Sequence, residues 1–460
     1  MSVTKKIVPY IFLSFLFVSN NADGSSLNFN GYELAPIKVS APANTGLNDI
    51  YVLWSTTGVS VNYTSDGGKV EWSRYSNLGG GYAEEIQGVS FDGNSSTLSR
   101  LEGDMGYIIK EGDKNLIFWV IDYGNKQFDV RELTISPDQN CGETVLDFIG
   151  NAGTLTYYTV TGRQEILSRE ITLNYYNLDW DSNGNSFIQE EVTKTLSSIT
   201  NNIIITPPVY CSTSFFMVGD RFLRQWGKSK EYESNVFYPM AVNVMTEARQ
   251  EGDYNNNNPE DDEGEMPSSN IIGGNNDGLG GSAPCTINFT SYATDAVVHN
   301  EWQFADDSEF EYITHRITEA DLTYTFTEEG TTYVRFVGSN SDGSCEAYGD
   351  TYAINIGSSE LLIPNAFSPD GDGINDEWKV AYRSLIEFKC WIYDRHGHEI
   401  YHFDDPSNGW DGKKNGKYVK PGVYFYVIQA KGADGKKYKK SGDINILKTS
   451  RSDYYSPEEL

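Results

Sequence analysis

The sequence predicts an all-β protein, a row of immunoglobulin-like β-sandwich modules closed by a smaller C-terminal β-sandwich. Three observations carry this. Short apolar runs alternate with polar residues at a period of two, which gives a strand one apolar face. The chain is rich in strand-favouring Tyr and Phe, 31 and 22 of its 460 residues. Its 44 glycines, with many Asn and Ser, punctuate those runs as turns.

At the N-terminal end, Lys5 and Lys6 precede an apolar run over residues 7–18. That run is shorter than the roughly 20 residues a membrane span needs, and Ala22 and Gly24 follow it, so residues 1–24 read as a cleaved signal peptide. No Cys follows the run, which argues against a lipoprotein anchor, and no later apolar stretch has spanning length, so no transmembrane segment is expected in the mature chain.

Residues 25–140 read as a first β-sandwich module, with strands at 49–54 and 115–122 and a Gly-rich turn at 77–81. Residues 141–248 form a second, containing a long hairpin with arms at 171–180 and 187–196, and little helix. Residues 249–283 hold four consecutive Asn, an acidic run and seven Gly, but almost no large apolar side chain. They read as an acidic Asn/Gly-rich flexible linker, because such a composition cannot bury enough surface to fold.

Residues 284–358 contain Trp302, the acidic turn Asp306-Asp307, and Gly330-Thr331-Thr332-Tyr333-Val334. In that order they resemble the PKD family of immunoglobulin-like domains, with Asp306-Asp307 in place of the usual Gly-Asp turn. The resemblance implies a sandwich fold and names no ligand.

The final module, 359–448, alternates Ile386, Phe388, Cys390 and Ile392 with Glu387, Lys389, Trp391 and Tyr393. A second strand places Val423, Phe425 and Val427 against Tyr424 and Tyr426, after the turn Pro421-Gly422. Residues 449–460 form a tail.

The net charge is −30, yet the last hundred residues hold fifteen acidic and fifteen basic side chains, so the excess lies upstream. An acidic body of this kind is repelled by phosphate backbones, which excludes nucleic acid as a partner class. Five cysteines fit an oxidising compartment. Cys141 with Cys211 and Cys285 with Cys345 bracket β-like stretches, and these two disulfides are the expected pairing. Cys390 falls on an apolar strand face as a buried thiol.

Motifs for chemistry are few. Asp179, Asp181, Asn183, Gly184 and Glu190 have the spacing of a calcium loop, in which alternating oxygens wrap a hard cation. Their flanks alternate like strands, however, and an acidic hairpin turn is the favoured alternative. Asp370, Asp372, Asn375 and Asp376 crowd one Gly-rich loop and could either bind Ca2+ or order turns. Among the five histidines, His299, His315, His396, His398 and His402, none sits in a metalloprotease pattern, and no nucleophile elbow or phosphate loop is present. The chain is therefore read as no enzyme.

The blocks at 363–378, 392–397, 410–413, 421–428 and 440–447 are similar, in order, to the gliding-motility-associated type B C-terminal sorting domain of the Bacteroidetes type IX secretion system. His396 stands where that family usually carries an aromatic. The resemblance implies passage through the type IX machinery and retention at the outer membrane by a PorP/SprF-like protein. It also implies a cell-surface or periplasm-facing position and a role in secretion-linked assembly or signalling, with PorA-like proteins as a closer likeness. The residues that would carry sorting or partner recognition are Asn365, Phe367, Pro369, Asp370, Gly371, Asp372, Gly373, Asn375, Asp376, Arg395, Gly397, Trp410, Asp411, Gly412 and Gly422. The alternative is a type IX-secreted adhesin or glycan-binding protein, with exposed aromatics such as Trp54, Trp72 or Trp226 as contact residues, and an enzyme is a distant third, since a carboxylate pair is set by spatial separation and not by sequence spacing.

Overall fold

The computed structural model describes residues 26–79, 82–251, 270–272 and 278–447. The signal peptide, most of the linker and the tail read from sequence lie outside these residues. Among the described residues the fold is nearly all strand, with one short α-helix, Arg221–Gln225, and no helix long and apolar enough to cross a membrane.

The first module pairs a four-stranded sheet with a six-stranded one. Tyr51, Leu53, Val61, Tyr63, Trp72, Tyr107, Phe118 and Val120 pack between them. The central strand Lys114–Asp122 pairs parallel with Asp49–Leu53 and antiparallel with Met105–Glu111. Its sequence is apolar on both faces, as a strand covered on both sides should be. Trp119 and Ile121 point away from the first core and join Val130, Leu146, Leu173 and Phe215 in a second one. The first two modules therefore share a core instead of each closing on its own.

Their boundary also moves. Asp129–Ile135, assigned by sequence to the first module, pairs with Thr144–Asn151 in a sheet of the second. A buried ion pair seals the seam. Arg169 Nη1 donates to Asp220 Oδ2 at 2.6 Å, with the two side chains 1% and 0% exposed. Tyr123 Oη donates to the same carboxylate at 3.0 Å, and Arg169 Nε donates to Gly153 O at 2.6 Å. Asp220 also caps the helix by accepting from Leu223 N. With so many partners, this pair meets the condition under which buried charge is tolerated.

The long hairpin forms as read, from Ile171–Asp181 and Ser186–Leu196. Trp180 near its tip lies 5.2 Å from Tyr292 of the third module. That module is an immunoglobulin-like sandwich around Trp302, Phe289, Phe304, Val334 and Phe336.

Both ends of the expected linker fold into the third module. Val244–Gln250 pairs with Cys285–Ala293, and Gly280–Gly281 runs parallel to Tyr352–Ile356. Asn270 Nδ2 donates to Val380 O and Pro406 O of the C-terminal module. These segments need few large side chains because they add backbone hydrogen bonds to cores built elsewhere.

The disulfide expectation is corrected. Cys141 bonds Cys345, with Cα atoms 5.4 Å apart and 204 residues between them in sequence. The bond ties the second module to the third, where bracketing logic had closed each module on itself. Cys211 is a half-buried thiol whose Sγ donates to Tyr176 O, and Cys285 is buried in the third core.

The C-terminal module has a five-stranded sheet ordered Ala366–Phe367, Lys437–Ile446, Gly422–Gly432, Leu385–Tyr393 and Glu399–Phe403. One face is buried with Trp378, Val380 and Trp410. Two sequence details change here. A β-bulge between Leu385 and Glu387 puts Leu385 in the core and sends Ile386 against the third module. In Gly422–Gly432, Tyr424, Tyr426, Ile428 and Ala430 face inward, while Val423 and Phe425 are exposed, the reverse of the apolar face assigned from sequence.

Candidate functional site

Four of the five sequence blocks of the C-terminal module meet at one end of its sheet. Ala366 and Phe367 pair parallel with Asn445 and Ile446, and Asn365 O accepts from Asn445 N at 2.8 Å. Gly422 pairs with Ile446 and Val423 with Asn445, so the start of the next strand lies alongside. Trp410 contacts Phe367 and Tyr424, with ring centroids 5.5 and 5.3 Å away.

The loop after Phe367 is held by its own side chains. Gly371 N and Gly373 N each donate to one oxygen of Asp376 at 2.7 Å, Ile374 N donates to Asp372 Oδ1, and Ser368 N donates to Asn375 O. Gly371, Gly373 and Asn375 all have φ between +53° and +84°, a region open to Gly and tolerated by Asn. Asp370, Asp372 and Asp376 bring carboxylate oxygens within 4.8 Å of one another, and Asp370 Oδ1 is buried with no hydrogen-bond partner. These three are the residues that could hold a hard cation such as Ca2+, whose oxygen ligands they supply. The hydrogen bonds to Asp372 and Asp376 equally order the turn without one.

Pro369 seats on Gly412, where a Cβ would approach the proline Cγ to 2.9 Å. Asp411 Oδ1 accepts from Lys413 N, and Trp410 Nε1 donates to Lys413 O. Trp378 and Trp410 exchange backbone hydrogen bonds, and Trp378 Nε1 donates to Pro364 O at 2.7 Å. A cleft of about 740 Å³ opens beside this strap, lined by Glu377, Lys379, Tyr401, Asp411, Lys413 and Lys414 among others.

The turn carrying Arg395 and Gly397 leaves Tyr393, whose strand neighbour is Phe425. Asp394 Oδ1 accepts from His396 N and His398 N, and Oδ2 meets His398 Nδ1 at 3.1 Å. Burial works to raise the Asp394 carboxyl, but these hydrogen bonds outweigh it and hold it below its usual value. Arg395, His396, Gly397 and His398 are all exposed.

The candidate recognition residues thus divide by role. Phe367, Pro369, Trp410 and Gly412 are buried, and Gly371, Gly373, Gly397 and Gly422 occupy positive φ. Asn365, Asp372, Asn375 and Arg395 present side chains to solvent.

The calcium-loop spacing at 179–190 does not make a site. In the hairpin register Asp181 faces Ser186, Asp179 faces Ile188 and Glu190 faces Asn177. Four residues of extended strand separate Glu190 from the turn, on the order of 13 Å. Asp181 Oδ1 accepts from Asn183 N, so the acidic-turn alternative holds.

The three tryptophans named for an adhesive surface also lie elsewhere. Trp72 is 3% exposed, with Nε1 donating to Ser96 Oγ. Trp54 and Trp226 pack on each other and on Tyr123 at the seam of the first two modules. Sequence spacing carries no signal for this, since a tryptophan between modules and one on a surface have the same neighbours in sequence.

Comparison with known proteins assigns two of these regions. Residues 361–446 match the family model described as the CHU_C Type IX secretion signal domain, and residues 134–234 match that of a fibronectin type III domain. No curated protein matches the chain. Among solved structures, the chicken CNTN1 FN1-FN3 domains align over 70% of this chain and 99% of theirs, at 11% identity and a TM-score of 0.23. A 1.5-MDa bacterial ice-binding adhesin aligns over 71% and 100%, at 9% identity and 0.19. Dimeric latent PorU from Porphyromonas gingivalis aligns over 70% and 33%, at 9% and 0.15. At such TM-scores these alignments carry no argument about function. The family matches do, and the chain is an exported cell-surface protein that ends in a type IX secretion signal domain of the CHU_C family, behind a fibronectin type III-like domain.

Proposed function

We propose that this protein is a non-catalytic component of the type IX pathway. It is held at the outer membrane by a PorP/SprF-like partner that engages the C-terminal module, and it acts in secretion-linked assembly or signalling. The observation that carries this reading is the match of residues 361–446 to the secretion signal domain. The convergence of the sequence blocks at one end of that module supports it, because a partner could read them together. The front modules, tied by a shared core and by the Cys141–Cys345 bond, would be displayed as one stiff body.

The test is in-cell cross-linking of the full chain, followed by identification of the outer-membrane protein joined to it. Recovery of a PorP/SprF-like protein supports the reading, and surface display that persists in cells lacking that protein sinks it.

A second reading, an adhesin whose front modules bind glycan or protein, draws support from the fibronectin type III match at 134–234. Saturable binding to cell-free glycan or matrix protein by full-length protein would favour it.

A further inference from the structure

The first half of the strand Gly422–Gly432 turns Val423, Phe425 and Val427 outward. Tyr424 and Tyr426 enter the core, while Val423 and Phe425 are 48% and 44% exposed. Scattered exposed apolar residues are ordinary, but contiguous ones are not. Here the register makes them contiguous. Phe425 pairs with Tyr393, and Val427 pairs with Trp391, so five apolar or aromatic side chains form two adjacent strand rows on the open face of the sheet.

Lysines edge this stripe at one end, while a single carboxylate, Asp443, stands opposite Phe425 in its own row. Beyond Trp391 and Val427 the next row is Lys389, Gln429 and Lys439, with Lys437 two residues farther along its strand. Among the described residues none of these three lysines forms an ion pair, although acidic side chains outnumber basic ones 65 to 35 over the whole chain. Residues 361–446 hold 13 basic and 12 acidic side chains, a net of +1.

We infer that this open face, centred on Phe425 and Trp391, is the docking surface of the C-terminal module. Its occupant is a protein partner with an apolar patch fringed by carboxylates. The inference rests on the proposed retention at the outer membrane and places its contact on the sheet face, where the signature loop had been the expected contact. Aromatic anchors supply the buried centre of such interfaces, and unpaired lysines at the margin steer an acidic partner and fix its register. The same charge could attract the acidic body of a second copy of this chain, which the test separates.

The experiment uses the full chain in a cell with a working type IX system, and reads the fraction digested by protease added to intact cells. Two double variants are compared with wild type, Val423→Ser with Phe425→Ser, and Lys389→Glu with Lys439→Glu. Val298→Ser, 57% exposed on the third module, serves as control. Thermal unfolding of each purified protein checks the fold, and the lysine pair, wholly on the surface, keeps the test meaningful if the apolar pair loses stability. Surface display should fall roughly ten-fold in both double variants and hold in the control. Wild-type display in either folded double variant overturns the inference. So does an oligomer of purified protein that the serine pair dissociates while display is unchanged, because the face would then bind a second copy. Absence of display for wild type itself would overturn the underlying reading as well.

Discussion

Cys141 and Cys345 join two modules that are 204 residues apart in sequence, one on an exposed loop and the other 1% exposed. Asn340 Oδ1 accepts from Cys345 N and Asn340 Nδ2 donates to Met240 O, so the bond sits in a hydrogen-bonded seam. Cys345→Ser should lower stability by about 2–4 kcal/mol, since the cross-link closes a long loop in the unfolded chain. Denaturant unfolding of wild type and variant checks this. Peptide mapping should recover Cys141 and Cys345 in one linked pair.

Asp220 is fully buried and receives Arg169, Tyr123 and the helix N-terminus. Asp220→Ala leaves the Arg169 guanidinium buried without its counter-charge and should cost about 3–5 kcal/mol. Replacing Lys69 or Glu71, an exposed and solvent-screened pair, should change stability far less. Thermal unfolding of the two variants side by side would measure the contrast.

Cys390 is 0% exposed, and burial pushes its thiol up to about 12. It should resist alkylation at neutral pH in the folded protein and react on unfolding. Cys211, half-buried, should react sooner. Mass spectrometry over an iodoacetamide time course distinguishes the two.

Asp307 and Asp342 are held below the usual carboxylate range, the first by backbone hydrogen bonds led by that from Glu311 N, the second by the Ser344 side chain and backbone. Asp394 and Asp434 are held down too, by hydrogen bonds that outweigh burial. A carboxylate whose folded pKa is depressed contributes stability that is present above its unfolded pKa and is lost as pH falls through the folded value. The protein should therefore keep its stability from neutral pH down to about pH 4 and lose it below. Replacing Asp307 with Asn should flatten part of that loss in pH-dependent denaturation.

The strands were legible wherever one local pattern decided them, as at Ile171–Asp181 and Lys114–Asp122. What sequence could not carry was which element covers which. Trp119 lies in a strand read from sequence and Trp72 reads there as exposed, yet both are buried and face different cores, because the six-stranded sheet is buried on both sides. The linker was misjudged at its ends for a related reason, since Gly280–Gly281 contributes only backbone to a neighbouring strand. In the candidate site, the Asp370 to Asp376 turn was visible from its Gly and Asp spacing. The outward turn of Phe425 was not, because Tyr rings can line a core as well as Val and Phe can, and only the partner sheet decides which face is covered.

The most direct test of the account is to fuse residues 359–460 to an unrelated, exported fluorescent protein and measure surface protease accessibility in cells with and without a working type IX channel. Display that requires both the added residues and the channel is the predicted result. Display without the channel, or none of the fusion where the full-length protein is displayed, would contradict the claim that this module directs export.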